Sequence, residues 1–394
     1  MKTKIAVMFG GRSVEHEVSI ISGIQAIMNM NTDKYEIIPV YLTKNNDMYI
    51  GDDIGNIESY RNIEDLLKRS QKVIMVKEND TVCLVNYPTK KFGKNLKISL
   101  DLVFPIVHGT NVEDGALQGF LKTFGISFVG CDVTASAVGM DKYVTKTILK
   151  DNAIPVLDCL VYVTSDYANV ETMIEEVEGK LGYPVIIKPV NLGSSVGIAV
   201  AKNRVEIEKA IDDAFLYSRK IIVEHAISNL REINCAVLGD ENDAVASECE
   251  EPMHTDDILS YEDKYMSNGS KGGASKGMAS VSRSIPANIS SELREEIRET
   301  AVKAFKKLGC NGVARIDFMI DEDEGKLYFN EINTIPGSLS FYLWEPLGIK
   351  YSELLDRMIQ LAMKRKREEA SIVYSFDSNI LNMQVLGGTK GGKL

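Results

Sequence analysis

The run "KIAVMFGG", residues 4–11, constrains the fold of this chain more than any other stretch. An apolar, β-branched segment ends in two glycines, and Val14, Val18, Ile21, Ile24 and Met28 then follow at three-to-four spacing, which reads as strand, tight turn and helix. Two further strand-like runs, "YEIIPVYLT" and "LDLVFPIVHG", and a helical pattern in "DGALQGFLKTFG" continue the alternation to about residue 130. Strands that alternate with helices predict an α/β domain with a parallel sheet over 1–130.

The pattern changes beyond 131. A helix around "MDKYVTKTILKDN" is followed by the strands "CLVYVTS", "YPVIIKPV", "VGIAVAK" and "KIIVEH" and by the helices "ANVETMIEEVEGKL" and "RVEIEKAIDDAFLY". This predicts a small α+β unit over 131–226. A second α+β unit over 227–369 follows from the strands "REINCAVLG", "GVARIDFMID" and "KLYFNEIN", a helix from about Ser290 to Leu308 and a closing helix near Ser352 to Lys366. Within it the loop 266–280, "MSNGSKGGASKGMAS", is too rich in Gly, Ser and Lys to build a core, and suits either a plain flexible loop or a lid over an anionic ligand. The tail 370–394 is expected to be extended or mobile. A length of 394 residues agrees with two or three domains.

Composition excludes several classes. The six cysteines are far apart with no CxxC pair, so neither a disulfide framework nor a structural zinc site is expected. No apolar run is long enough for a signal peptide or a bilayer span, which predicts a cytoplasmic location and no membrane partner. A formal charge of −11 argues against nucleic acid as a partner, although local lysines can still attract a nucleotide.

"GSSVG", 193–197, fits the nucleophile elbow of serine hydrolases, but an elbow needs a helix after the serine and here both flanks alternate like strands. With only His225 and His254 downstream as bases, a triad is unsupported. A Gly-Ser-Ser hairpin can instead gather backbone N–H groups and hydroxyls around phosphate oxygens, with Lys188 on the entering strand aimed at the same charge. Neither a P-loop nor a dinucleotide fingerprint is present. "ARIDFMID" and "NEIN" are joined through "DEDEG", a turn that makes their strands antiparallel neighbours. Asp317, Glu331 and Asn333 can then meet as hard oxygen ligands, which suits Mg²⁺ held partly by substrate phosphates.

The motifs "GGRSVEHEVS", "HGTNVEDGALQG", "MDKYVTK", "IIKPVNLGSSVGI", "VEHAISNLREI", "YEDKY", "GVARIDF" and "NEINTIPG" occur in an order and spacing that resemble the D-alanine–D-alanine ligases of the ATP-grasp superfamily. The resemblance covers nearly all of the chain to about residue 365. It implies an ATP-grasp fold, an N-terminal α/β domain followed by two α+β domains that clamp ATP. The implied reaction moves the γ-phosphoryl of ATP to one D-alanine carboxylate, and the amine of a second D-alanine then attacks the acyl phosphate, for peptidoglycan precursors. Implied cofactors are ATP and two Mg²⁺ ions, with Mn²⁺ an alternative, and the implied assembly is a homodimer through the N-terminal domain.

The resemblance also assigns residues. Asp317, Glu331 and Asn333 would hold metal; Lys142, Lys188, Lys264, Ser194 and Ser195 would meet phosphates; Glu224, Ile227 and Glu232 would surround adenine and ribose. Arg315 would stabilise the tetrahedral oxyanion. Glu15 would bind the first ammonium, linked to Ser194 and Tyr265 by hydrogen bonds, with His108 near the same carboxylate. Gly337, Ser338, Ser340 and Tyr342 would line the second pocket. This chain departs from the family in three places: Val112 replaces a glycine before "EDG", the loop 266–280 is longer, and Tyr342 stands where serine is usual. A phenol there would reshape the acceptor pocket, so an acceptor such as D-serine, D-lactate or another amino acid is an alternative. A nucleotide-binding regulator without catalysis is another, opposed by the presence of Arg315, Lys264 and the metal set.

Overall fold

The computed structural model describes residues 2–193, 196–252 and 283–375. Ser194, Ser195, Lys264, Tyr265, the loop 266–280 and the tail beyond 375 lie outside the described residues.

The first of three sheets has the order β6-β5-β4-β3-β2-β1-β7. Its strands are β1 (Thr3–Gly10), β2 (Tyr35–Leu42), β3 (Met48–Ile50), β4 (Gln71–Glu78), β5 (Thr81–Asn86), β6 (Lys97–Leu100) and β7 (Leu102–Ile106). Helix α1 (His16–Asn29) crosses from β1 to β2; α2 (Ile63–Arg69) and α3 (Ala116–Phe124) complete the unit. β1 is parallel to β2 and to β7, as expected. β2 to β6, however, form an antiparallel meander, so the sheet is mixed and the wholly parallel expectation is corrected. The cause lies in "VKENDTVCLV", where Asn79, at φ 45°, and Asp80 turn one alternating run back on the next. The α1 face also differs from expectation. Val14 and Met28 are 48% and 76% exposed, and the buried side is Val18, Ile20, Ile24 and Ala26 together with the polar His16, Ser19 and Ser22.

The connecting segment forms α4 (Val133–Met140) and α5 (Lys142–Asp151). The second sheet, β10-β9-β11-β8, comprises β8 (Cys159–Val163), β9 (Val185–Pro189), β10 (Ala199–Ala201) and β11 (Lys220–His225). It packs against α6 (Val170–Lys180) and α7 (Arg204–Tyr217) through Ile174, Val177, Ile207 and Ile211. The third sheet, β14-β13-β12-β15-β16, contains β12 (Leu230–Gly239), β13 (Ala244–Pro252), β14 (Arg283–Ser284), β15 (Gly312–Asp321) and β16 (Lys326–Asn333). Helix α8 (Ser291–Lys307), capped by the Ser290 hydroxyl on the Leu293 N–H, covers it.

Packing divides the chain differently from its sequence blocks. Leu149 and Ile154 share a core with Ile316, Phe318 and Phe329, so the segment around α5 rests on the third sheet rather than the second. The closing helix α9 (Tyr351–Glu369) buries Leu354, Leu355, Met358 and Ile359 in the core of the first sheet. The C-terminal segment is thereby fastened to the N-terminal unit, and the ends of all three sheets meet around the polar groups described next.

Candidate active site

In the register of β15 and β16, Arg315 faces Asn333 and Asp317 faces Glu331, followed at once by a bulge that leaves Asn330 unpaired in the ladder. The strand alternation thus brings together the oxygen donors expected from sequence. Asn333 Nδ2 donates to Asp317 Oδ2 at 3.1 Å. Arg315 Nε and Nη2 donate in a fork to Asp317 Oδ1 and Oδ2 at 2.6 and 2.7 Å. Burial disfavours the Arg315 charge, but Asp317 outweighs it and holds the guanidinium well above its usual range. Among the described residues no three His, Cys, Asp or Glu side chains cluster as a metal site. A divalent ion here would have two carboxylates and one carboxamide, with its remaining ligands supplied by substrate oxygens and water; that donor set fits Mg²⁺.

Lysines face these acids from the other side. The Asp141 side chain caps α5 by accepting from Tyr143 N and Val144 N, which sets Lys142 and Lys146 one turn apart on one helix face. Lys142 Nζ lies 2.9 Å from Glu331 Oε2 and donates to the Leu192 carbonyl at 2.8 Å. Lys188 on β9 donates to Glu224 Oε2 at 2.8 Å and to Asn330 Oδ1 at 3.3 Å. Glu224, on β11, is fully buried, and its other oxygen is paired with Lys146. Burial alone would raise the Glu224 carboxyl, yet the two ammonium charges draw it down to about 2. Ile227 is half-buried in the turn after β11, and half-buried Glu232 on β12 adds its charge near Lys188. Lys146 was missed in the sequence, although its place one turn after Lys142 marked it; the burial of Glu224 between two lysines had no local signal.

Glu15 sits at the start of α1, 7% exposed, in a cradle of two glycines. A Cβ on Gly193 would come within 3.2 Å of Glu15 Oε2, and one on Gly109, at φ +84°, within 2.9 Å of it and 2.2 Å of Ser13 Oγ. At Gly109 the positive φ and the close approach both require glycine, and at Gly193 a side chain would press on the carboxylate. Val112, the departure in this loop, is buried with its methyl over Gly11. His108 pairs its Nδ1 with the Ile335 carbonyl at 2.8 Å and its Nε2 with Ser22 Oγ at 2.9 Å, so both ring nitrogens are engaged by protein. Burial lowers it to about 4, leaving a neutral imidazole. The unforeseen Glu113 accepts from Gly109 N at 3.0 Å and from Ile335 N at 2.9 Å, joining the β7 loop to the segment after β16; burial and the charge of Glu15 raise it to about 8.

The segment Gly337–Leu343 is a 3₁₀-like turn containing Ser338, Ser340 and Tyr342, all buried. Tyr342 is not an open hydroxyl in a pocket. Its oxygen donates to Glu250 Oε1 at 3.3 Å, and the Arg283 guanidinium lies 4.0 Å from its ring centroid. Arg283 Nη1 donates to Glu250 Oε2 at 2.8 Å and Asn234 Nδ2 to Oε1 at 3.0 Å. Glu250 and Arg283 come from β13 and β14, far from Tyr342 in sequence, and were not anticipated.

Comparison with known proteins agrees with this arrangement. The family model for the D-ala D-ala ligase N-terminus matches residues 4–131, and that for the D-ala D-ala ligase C-terminus matches 148–360. The chain belongs to the D-alanine–D-alanine ligase family. It is 38% identical to the D-alanine–D-alanine ligase of Thermosipho melanesiensis, covering 97% of this chain and 99% of that one. With the D-alanine–D-alanine ligase of Caldicellulosiruptor bescii it shares 41% identity over 95% and 99% of the two chains. Among solved structures, the D-alanine-D-alanine ligase from Coxiella burnetii superposes with a TM-score of 0.76 at 30% identity, over 94% and 97%. The VanG D-Ala:D-Ser ligase from Enterococcus faecalis gives 0.75 at 32%, over 92% and 100%. The ATP-grasp arrangement is therefore the fold of this family member. No helix among the described residues is long and apolar enough to cross a membrane.

Proposed function

We propose that this protein joins two D-alanine molecules with ATP and Mg²⁺, forming ADP, phosphate and the dipeptide used for peptidoglycan precursors. The observation that carries the reading is the meeting, on neighbouring strands, of the Arg315–Asp317 fork with Glu331 and Asn333, opposite Lys142 and Lys188, in a member of this ligase family. Glu15 in its glycine cradle holds the ammonium of the first D-alanine, whose carboxylate takes the γ-phosphoryl of ATP. The amine of the second D-alanine, having lost a proton, then bonds to the acyl carbon as the C–O bond to phosphate breaks. Arg315 stabilises the oxyanion that develops, a contribution of about 10²–10³ in rate for such donors. Lys142 and Lys188 exchange their carboxylate partners for phosphate oxygens when the nucleotide enters. Asp317, Glu331 and Asn333 would hold Mg²⁺, which would supply neutralisation of phosphate charge.

Ser194, Ser195, Lys264 and Tyr265 are assigned to phosphate and first-substrate contacts on motif resemblance; a second Mg²⁺ and the homodimer rest on the same resemblance, and a cytoplasmic location rests on the apolar patterning of the sequence. The units 1–130, 131–226 and 227–369 serve as first-substrate side, ATP subdomain and metal-bearing subdomain. Tyr342 forms a wall of the second pocket through Glu250 and Arg283, and D-alanine is the acceptor, in keeping with the Thermosipho and Caldicellulosiruptor relatives, both D-alanine–D-alanine ligases.

The test is ADP release by the purified chain with ATP, Mg²⁺ and D-alanine, with products identified by mass. D-Alanyl-D-alanine is expected from D-alanine alone. ADP release that D-alanine does not stimulate would overturn the reading, and turnover only with D-alanine plus D-serine or D-lactate would move the acceptor assignment.

A further inference from the structure

The turn after β16 adopts a backbone that its sequence does not favour. Ser338, Leu339 and Ser340 have φ of 52°, 53° and 48°, three successive non-glycine residues in the left-handed region. Such a run persists only where its surroundings over-determine it. The surroundings here belong to the N-terminal unit. Ser22 Oγ on α1 accepts the Ser338 N–H at 2.9 Å, and Gln25 Oε1, one turn further on, accepts the Ser338 hydroxyl at 2.7 Å.

Proton bookkeeping fixes the direction of the adjoining bonds. The Ile335 carbonyl can only accept, so His108 carries its proton on Nδ1 and donates it there at 2.8 Å. Nε2 of the neutral imidazole is then the acceptor and takes the Ser22 hydroxyl proton, 2.9 Å away, while Ser22 Oγ accepts the Ser338 N–H. Ser22 and His108 are 1% and 3% exposed, so water cannot replace a missing partner in this chain. The turn held in this way presents the Ser340 hydroxyl, which is buried and makes no hydrogen bond to any described residue.

Resting on the ligase reading, we propose that Ser22 and Gln25 are positioning residues for the acceptor. Helix α1 begins at the first-substrate group Glu15 and, seven residues or about 10 Å of axial rise later, grips the acceptor turn. A single rigid helix thus sets the separation of the two substrates, the quantity on which proximity catalysis depends.

The test uses the full chain with Ser22→Ala, Gln25→Leu and Gln25→Glu, measuring separate KM values for ATP, the first D-alanine and the second. Ser22→Ala and Gln25→Leu are expected to raise the second KM about five- to tenfold, the effect of losing one or two hydrogen bonds. The other two KM values should stay within about twofold. Gln25→Glu, which keeps an acceptor for the Ser338 hydroxyl, should restore the second KM to near wild type. Gln25 is half-buried, so the Gln25 pair carries the test even where Ser22→Ala does not fold. An unchanged second KM in Gln25→Leu, or an equal rise for all three substrates, would overturn the clamp. Wild-type protein without D-alanine-dependent ADP release would overturn the ligase reading, and is measured before any variant.

Discussion

Replacing Glu224 by Gln tests how the phosphate side of the site is held together. The Glu224 side chain is 0% exposed and serves two ammonium groups, those of Lys146 and Lys188, which are 3% and 6% exposed. The trio carries one surplus positive charge, which becomes two in Glu224→Gln with no anion between the lysines. A charge-assisted hydrogen bond to Lys188 and a close ion pair with Lys146 are lost, at about 1.5–3 kcal/mol each. The total agrees with the about 3–5 kcal/mol typical of breaking a buried ion pair. Lys146→Met removes the ion pair together with the surplus charge, and should cost only about 1–2 kcal/mol. The double variant should be less destabilised than the sum by about 1–3 kcal/mol, because the lysine that Glu224 neutralised is gone too. Urea unfolding of the four proteins at neutral pH measures this cycle. The sign with pH is also set. The native carboxyl lies near 2 and the unfolded one near 4.5, so its contribution is complete above 4.5 and lost as pH falls toward 2. The stability gap between wild type and Glu224→Gln must therefore narrow on acidification. A cost below about 1 kcal/mol for Glu224→Gln, or a cycle additive within about 0.5 kcal/mol, would refute the reasoning.

Gly109→Ala places a Cβ 2.2 Å from Ser13 Oγ in a residue at φ +84°, and should raise the KM of the first substrate by at least about tenfold with little change for ATP, as read from initial rates. Glu331→Gln should lower ADP release by about 10²-fold and shift its Mg²⁺ dependence to higher concentration, while chelation by EDTA should silence the wild type; a Mg²⁺ profile identical to wild type would remove Glu331 from the metal set. Tyr342→Phe deletes only the 3.3 Å bond to Glu250 and should cost about 1 kcal/mol or less in thermal stability, leaving acceptor choice intact, whereas Tyr342→Ser should alter it in competition between D-alanine and D-serine.

The amino-acid sequence by itself determined the elements whose signals are local. The strand, turn and helix of residues 4–28, the helix around Lys142 and the antiparallel neighbourhood of β15 and β16 follow from periodicity and turn chemistry within about twenty residues, whereas the bulge that skips Asn330 and sets Asp317 opposite Glu331 had no such signal. The hairpin of β4 and β5 was equally local, with Asn79 and Asp80 as its turn, and it made the first sheet mixed. Tertiary structure alone decided the rest. It seated α5 on the third sheet, enclosed Glu224 between two lysines, closed Gly193 and Gly109 around Glu15, and fastened Ser338 to a helix more than 300 residues earlier in the chain. The physical reason is that a polar side chain reveals its type in sequence but not its partner. Pairing of buried charges and hydrogen bonds is enforced by desolvation, which exists only once the distant segments have packed.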